Sequence, residues 1–153
     1  GALFICVGLL HERLHTRETN AAVGLGKCIP VLITGFGVFA LSSMAFPGTN
    51  NFVGEFLVLS AAFQSVPVVG VVAVPGVVLA AAYLLRLLQR VVWGGTQNPD
   101  QSGLKDLEMR EVVTLAPLVI FVFWLGPRPG PFVEVMRASL VHLLQQVQSG
   151  AAL

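Results

Sequence analysis

The sequence predicts an all-α membrane protein: antiparallel transmembrane helices, one of them discontinuous, with an amphipathic helix lying on a surface at the C-terminal end. Three observations predict it. Hydrophobic residues fill 55% of the 153 positions and charged residues only 11%, with a mean hydropathy of +0.80. A soluble domain usually has about a quarter charged residues, so this chain cannot cover a globular surface with polar groups. The apolar residues come in long runs, which makes lipid the expected solvent. One run is broken by the helix-breaking stretch PGTNN, and an acid follows it.

The elements follow in order. Residues 1–11 are an apolar run too short to span a bilayer, which takes about 20 residues. No basic n-region or cleavage site marks a signal peptide. The run reads as the end of a helix that starts upstream. Residues 12–27 (ERLHTRETNAAVGLGK) are polar and predict a loop. Residues 28–46 and 52–65 are the two halves of the broken helix. Pro67 marks a short turn, and residues 68–93 form a long apolar helix in which Pro75 predicts a kink. Residues 94–107 carry turn chemistry. Asp106 is placed to cap the next helix and Glu108 suits its first turn. That helix covers 108–126 and ends at Pro127, Pro129 and Pro131. Over 131–148, Phe132, Val133, Met136, Leu140, Leu143 and Val147 recur at helical spacing, as in a helix lying on lipid or packed on protein.

The charges orient the chain. Arg13, Arg17, Lys27, Arg86, Arg90, Lys105 and Arg110 belong to the loops 12–27 and 94–107 and the helix ends beside them, against Arg128 and Arg137 on the other side. The positive-inside rule places the first group in the cytoplasm. A net charge of +1 makes no case for nucleic acid. Cys6 and Cys28 form no CxxC and read as small packing residues. Arg86 and Arg90 are near enough to a helix end to snorkel; Arg86 is the deeper and is a candidate for a polar path.

Residues 11–15, HERLH, match a zinc-peptidase motif in which two histidines chelate zinc and the glutamate acts as base. The context argues against it. The match sits where a membrane helix meets a charged loop, and His142 falls on the opposite side of the predicted topology. An interfacial loop is the better account, and no metal site is expected.

The chemistry is expected at the break. Pro47 lacks an N–H, Gly48 leaves helical φ/ψ readily, and Thr49, Asn50 and Asn51 can bind freed backbone groups or water. Non-helical backbone at membrane depth is tolerated only when buried in protein or lining a wet cavity. Glu55 follows within about a turn. A carboxylate at the bilayer centre costs about 2.5–3.5 kcal/mol on insertion scales, so it normally faces an interior. Burial and nearby cations pull its protonation in opposite directions, as a group that loads and releases a proton requires. Gly54 permits close helix approach.

At HERLHTRE, GLGKCIPVL and above all FPGTNNFVGEFLVL, the chain resembles the M-type antiporter-like subunits of the proton-pumping NADH:quinone oxidoreductases, respiratory complex I, over nearly its whole length. The resemblance implies the C-terminal part of a fourteen-helix subunit, with Glu55 as the acid of the discontinuous helix that passes protons outward. Sister subunits and the multisubunit cation/proton antiporters generally carry Lys there, so Glu55 implies the M type. Asn50-Asn51 departs from a common Ser-Gly pair. The resemblance places quinone, NADH, FMN and iron–sulfur clusters in other subunits, so no cofactor is expected in this chain. It implies as partners the other membrane-arm subunits and the bilayer, and as location the bacterial inner membrane. The alternatives are a subunit of a cation/proton antiporter or of a membrane-bound hydrogenase complex, which share the fold, or a bracing role for the C-terminal helix.

Overall fold

The computed structural model describes residues 1–14, 23–94 and 104–150, the last three of these for their backbone alone. The described residues form six α-helices and no strand: α1 (Ala2–Leu14), α2 (Pro30–Ser43), α3 (Asn50–Ser65), α4 (Pro67–Trp93), α5 (Met109–Leu125) and α6 (Gly130–Gly150), with a 3₁₀ turn at Leu25–Lys27 before α2. The first helix runs to Leu14 rather than ending at residue 11, so His11 and Glu12 are helical and the polar segment begins later than its composition suggested. Polar side chains on an exposed last turn do not stop a helix whose backbone ladder can still close.

The core is built around α2. Leu32, Ile33, Phe36, Phe39 and Ala40 are buried along one face of it, in a cluster with Cys6 and Leu10 of α1, Leu88 and Val91 of α4, and Leu115 and Val122 of α5. The segment leading into α2 docks backbone to backbone on the end of α4. Gly24 takes a left-handed φ of 70°, its N–H donates to the Arg90 carbonyl at 3.3 Å, and a side chain on it would overlap the Gly94 carbonyl. A Cβ on Gly26 would lie 2.9 Å from the Val92 carbonyl oxygen. The glycines of GLGKCIPVL therefore serve contact that no side chain allows.

Contacts along α4 give the direction of the broken helix. Near its end, Val92 meets Gly26 and Leu88 meets Gly37; near its start, Gly70 meets the Phe63 ring. As α4 descends in number its partners ascend, so α2 and α3 follow one another along a single antiparallel neighbour rather than folding back as a hairpin. The turn into α4 is one extended residue, Val66, followed by Pro67 at the first helical position, where its missing N–H costs nothing. Pro75 lies inside α4 without dividing it.

Helix α5 runs beside α2 in the same direction. Pro30, Thr34 and Val38 share an open apolar groove of about 390 Å³ with Leu107, Leu115 and Val119. Glu108 is the N-cap of α5, in a reciprocal capping box with Glu111. Asp106, predicted to cap α5, caps α2 instead: its carboxylate accepts from Val31 N at 2.9 Å and Leu32 N at 3.1 Å. Pro30 brings no N–H and Ile29 no side-chain acceptor, so these donors would otherwise lack a partner. Among the described residues α4 alone is long and apolar enough to cross a membrane by itself. Helices α5 and α6 qualify only as a pair bent by 76°, and α2, apolar but 14 residues long, falls short.

Candidate functional site at the helix break

The site is the interruption between α2 and α3. The interruption spans residues 44–49, three residues earlier than the expected PGTNN. Helix α2 closes on a Schellman turn: Phe46 N–H donates to the Leu41 carbonyl at 3.3 Å and Ala45 N–H to the Ser42 carbonyl at 3.1 Å. The residue that swings the chain out of the helix is Ala45, at φ 54°. Glycine normally takes that position, so an alanine there gave no signal in the sequence. Gly48 makes the second left-handed step at φ 93°. Pro47 and Gly48 lie between the two helices, both exposed.

Thr49 is the N-cap of α3 and is 2% exposed. Its hydroxyl donates back to the Phe46 carbonyl at 2.7 Å rather than accepting from the first turn of α3. Asn50 and Asn51, expected in the gap, form the first turn of α3. Asn51 is exposed. The Asn50 Oδ1 accepts from the Ser42 hydroxyl at 2.9 Å, and Ser42 is 4% exposed. Ser43 donates to the Phe39 carbonyl at 2.9 Å. Ser42 escaped the sequence reading because a lone serine at a helix end resembles any other.

A second missed residue is Gly126, just past α5. It is buried against the break, and a Cβ there would fall 2.6 Å from the Gly48 carbonyl carbon and 2.9 Å from the Thr49 carbonyl carbon, closer still to the Gly48 oxygen. Its φ of −59° is open to any residue, so glycine is needed here for approach, not for backbone freedom. Beyond it, Trp124 meets Phe132 of α6 edge-on, with ring centroids 6.1 Å apart.

Glu55 lies in the second turn of α3, half-buried, between exposed Gly54 and Phe56. It makes no hydrogen bond or ion pair with another described residue. A Cβ on Gly54 would meet nothing within 4 Å among the described residues, so none of the described helices makes a close approach there. Helix α3 has no buried residue. Arg86 is exposed on α4. The pairing of α4 with α2 and α3 puts it level with α2, about eight residues or 12 Å from the level of Glu55 at 1.5 Å per residue.

A polar knot closes the other end of the bundle. Arg13 Nη2 donates to Glu111 Oε2 at 2.6 Å, and the same guanidinium reaches the carbonyls of Leu9, Lys105 and Asp106. Burial alone would raise the Asp106 carboxyl. The N–H groups of Val31, Leu107 and Leu32 and the charge of Arg13 outweigh it and hold the group below the usual carboxylate range. Of HERLH, His11 and Glu12 sit on the last turn of α1, and His15 lies outside the described residues, as does Arg17.

Comparison with known proteins gives one family. The model of the family described as NADH:quinone oxidoreductase/Mrp antiporter, TM, matches residues 1–80. The NADH-ubiquinone oxidoreductase chain 4 of Marchantia polymorpha is 41% identical over 144 residues, 94% of this chain and 29% of the relative. The NADH-quinone oxidoreductase subunit M of Rhodobacter capsulatus is 40% identical over 145 residues, 95% of this chain and 28% of the relative. The corresponding subunit M of Rickettsia typhi is 36% identical over 143 residues, 94% and 29%. The chain thus spans under a third of the length of the curated relatives it matches. With its matched region running from α1 through the break and into α4, the chain belongs to the NADH:quinone oxidoreductase/Mrp antiporter transmembrane family.

Proposed function

We propose that this chain is part of a proton-translocating subunit in the membrane arm of an NADH:quinone oxidoreductase, with Glu55 as the group that takes up and releases the proton. The observation that carries the reading is a carboxylate in the second turn after a six-residue helix break, inside a membrane family. Fourteen residues of α2 cover about 21 Å at 1.5 Å each. Starting from the polar knot, that length brings the break to within a hydrocarbon core about 30 Å thick. There α2 closes in its Schellman turn, the first N–H groups of α3 have no side-chain cap, and broken helices hold ions at ends of this kind. Pro47, Gly48 and Thr49 shape the gap, Asn50 and Asn51 offer polar groups beside it, and Gly54 leaves room for a neighbouring helix.

In this reading redox chemistry, with its NADH, flavin, iron–sulfur and quinone sites, belongs to other subunits. The partners are those subunits and the bilayer, nucleic acid is not one, and the location is the inner membrane of a bacterium, with the Arg13–Lys105 end in the cytoplasm. Helix α6 braces a neighbour or lies on lipid. The test is Glu55→Gln in the full complex. Proton pumping driven by NADH oxidation falls while the complex still assembles; unchanged protons per NADH would refute the role. The family description also covers Mrp antiporters, which supports a second reading as a cation/proton antiporter subunit. That reading requires proton movement driven by a cation gradient with no NADH present.

A further inference from the structure

We propose that Ser42 and Asn50 form a clasp across the break that fixes where Glu55 sits, which makes both positioning residues for proton transfer; this rests on the role given to Glu55 above. No backbone hydrogen bond joins α2 to α3 among the described residues: the ladder of α2 ends in its Schellman turn, and Thr49 N–H turns back to Phe46. The six residues between the helices include two at positive φ, Ala45 and Gly48. The backbone bonds of the break therefore tie Phe46 to α2 and Thr49 to Phe46, but neither helix directly to the other. The hydrogen bond from Ser42 Oγ to Asn50 Oδ1 is the one that spans the gap among the described residues. Its donor is 4% exposed, so water competes poorly for it.

The geometry converts that bond into control of the acid. Asn50 opens α3 and Glu55 lies five residues on, about 7.5 Å along the axis. A 10° tilt of α3 about its first turn moves Glu55 by about 1.3 Å at that lever arm. Proton transfer needs heavy atoms within about 2.6–3.2 Å, directly or through one water. A displacement of about 1 Å can slow such a step about 100-fold.

The experiment uses the full complex carrying Ser42→Ala, Asn50→Leu, the double variant and Ser42→Thr. Protons moved per NADH are measured at matched complex content, beside Glu55→Gln. Both single variants are expected to slow proton transfer at least tenfold. The double is expected to be no worse than the worse single, and Ser42→Thr, which keeps the hydroxyl, to restore pumping. Additive losses, intact pumping in both singles, or a Thr variant as damaged as Ala would overturn the clasp. A second measurement separates it from the role of Glu55: spin labels at positions 34 and 58 of the full subunit report the angle between α2 and α3. Ser42→Ala broadens that distance distribution if the clasp holds the angle. An unchanged distribution rejects the clasp, even where Glu55→Gln abolishes pumping. A broadened one upholds it as a structural device, even where Glu55→Gln pumps normally.

Discussion

Replacing Gly126 with alanine probes the seat of the break from the opposite helix. The added methyl would lie 2.6 Å from one backbone carbon and 2.9 Å from another, where ordinary contact begins at 3.4 Å. It would need to recede by at least roughly 0.8 Å, the larger shortfall of those two, and further to clear the Gly48 oxygen, in a packing that resists inserted methyls. All three obstructing atoms are backbone, of Gly48 and Thr49, so no rotamer change can make room. Either α5 moves away from α2 and α3, or the break is pushed out of shape. Overpacking of this kind costs about 1–3 kcal/mol. The assay is thermal inactivation of the purified full complex, with Gly76→Ala as control. Gly76 lies inside α4 with nothing within 4 Å of its added Cβ, so the control is expected to gain about 0.5–1 kcal/mol. Gly126→Ala should lower the inactivation midpoint and also reduce protons per NADH, because the residues it displaces carry the start of α3. Equal stability of Gly126→Ala and wild type would refute the close approach, and with it the argument that α5 seats the break.

Two further substitutions test the ends of α2. Ala45→Gly removes the cost of a left-handed alanine, about 1–2 kcal/mol before the added freedom of the unfolded glycine offsets part of it, so the inactivation midpoint should rise; a fall would mean that Ala45 does not take φ 54° in the protein. Asp106→Ala strips the cap from Val31 and Leu32 and should cost about 0.5–2 kcal/mol at neutral pH, read in faster amide exchange at those residues. Because folding depresses the Asp106 pKa, its contribution is present above the unfolded value of about 3.9 and lost as pH falls through the lower folded value, so the difference between variant and wild type should begin to shrink below about pH 4 and close once pH is below the folded value. A gap that persists there would show that the carboxylate charge is not what caps α2.

The interruption of the helix was legible in the sequence, and its partners were not. Pro47 and Gly48 announce an interruption because each has an intrinsic effect on its own backbone. Ala45 opens the break without such a mark: tertiary packing and the Schellman bonds impose a conformation the residue does not favour. Asn50 and Asn51 looked like loop residues because asparagine is a poor helix former, yet a first turn accepts it. The direction of α4 and the turn at Pro67 were readable from one apolar run and one proline. That Asp106 caps a helix 74 and 75 residues earlier was not, since an N-cap is recognised by proximity in sequence and this one acts through the fold. Gly126 is the extreme case: a glycine after a helix suggests a turn, and the need for it appears only when another backbone is laid against it.

Arg86 bears on how the proposed proton route divides between charge and relay. An arginine stays protonated throughout the physiological range, so it cannot itself receive a proton from Glu55. Its level on α4 lies about 12 Å along the axis from that of Glu55, and no ion pair or hydrogen bond joins the two side chains. Any action of Arg86 on the carboxylate is therefore that of a fixed, distant charge. Ser42 and Asn50 work the other way, carrying no charge but setting position. Arg86→Lys, which keeps the charge and loses the guanidinium fork, should then leave protons per NADH unchanged, whereas Asn50→Leu, which removes no charge at all, should not. Were the two results reversed, the Arg86 guanidinium would have to act through hydrogen bonds that this geometry does not show.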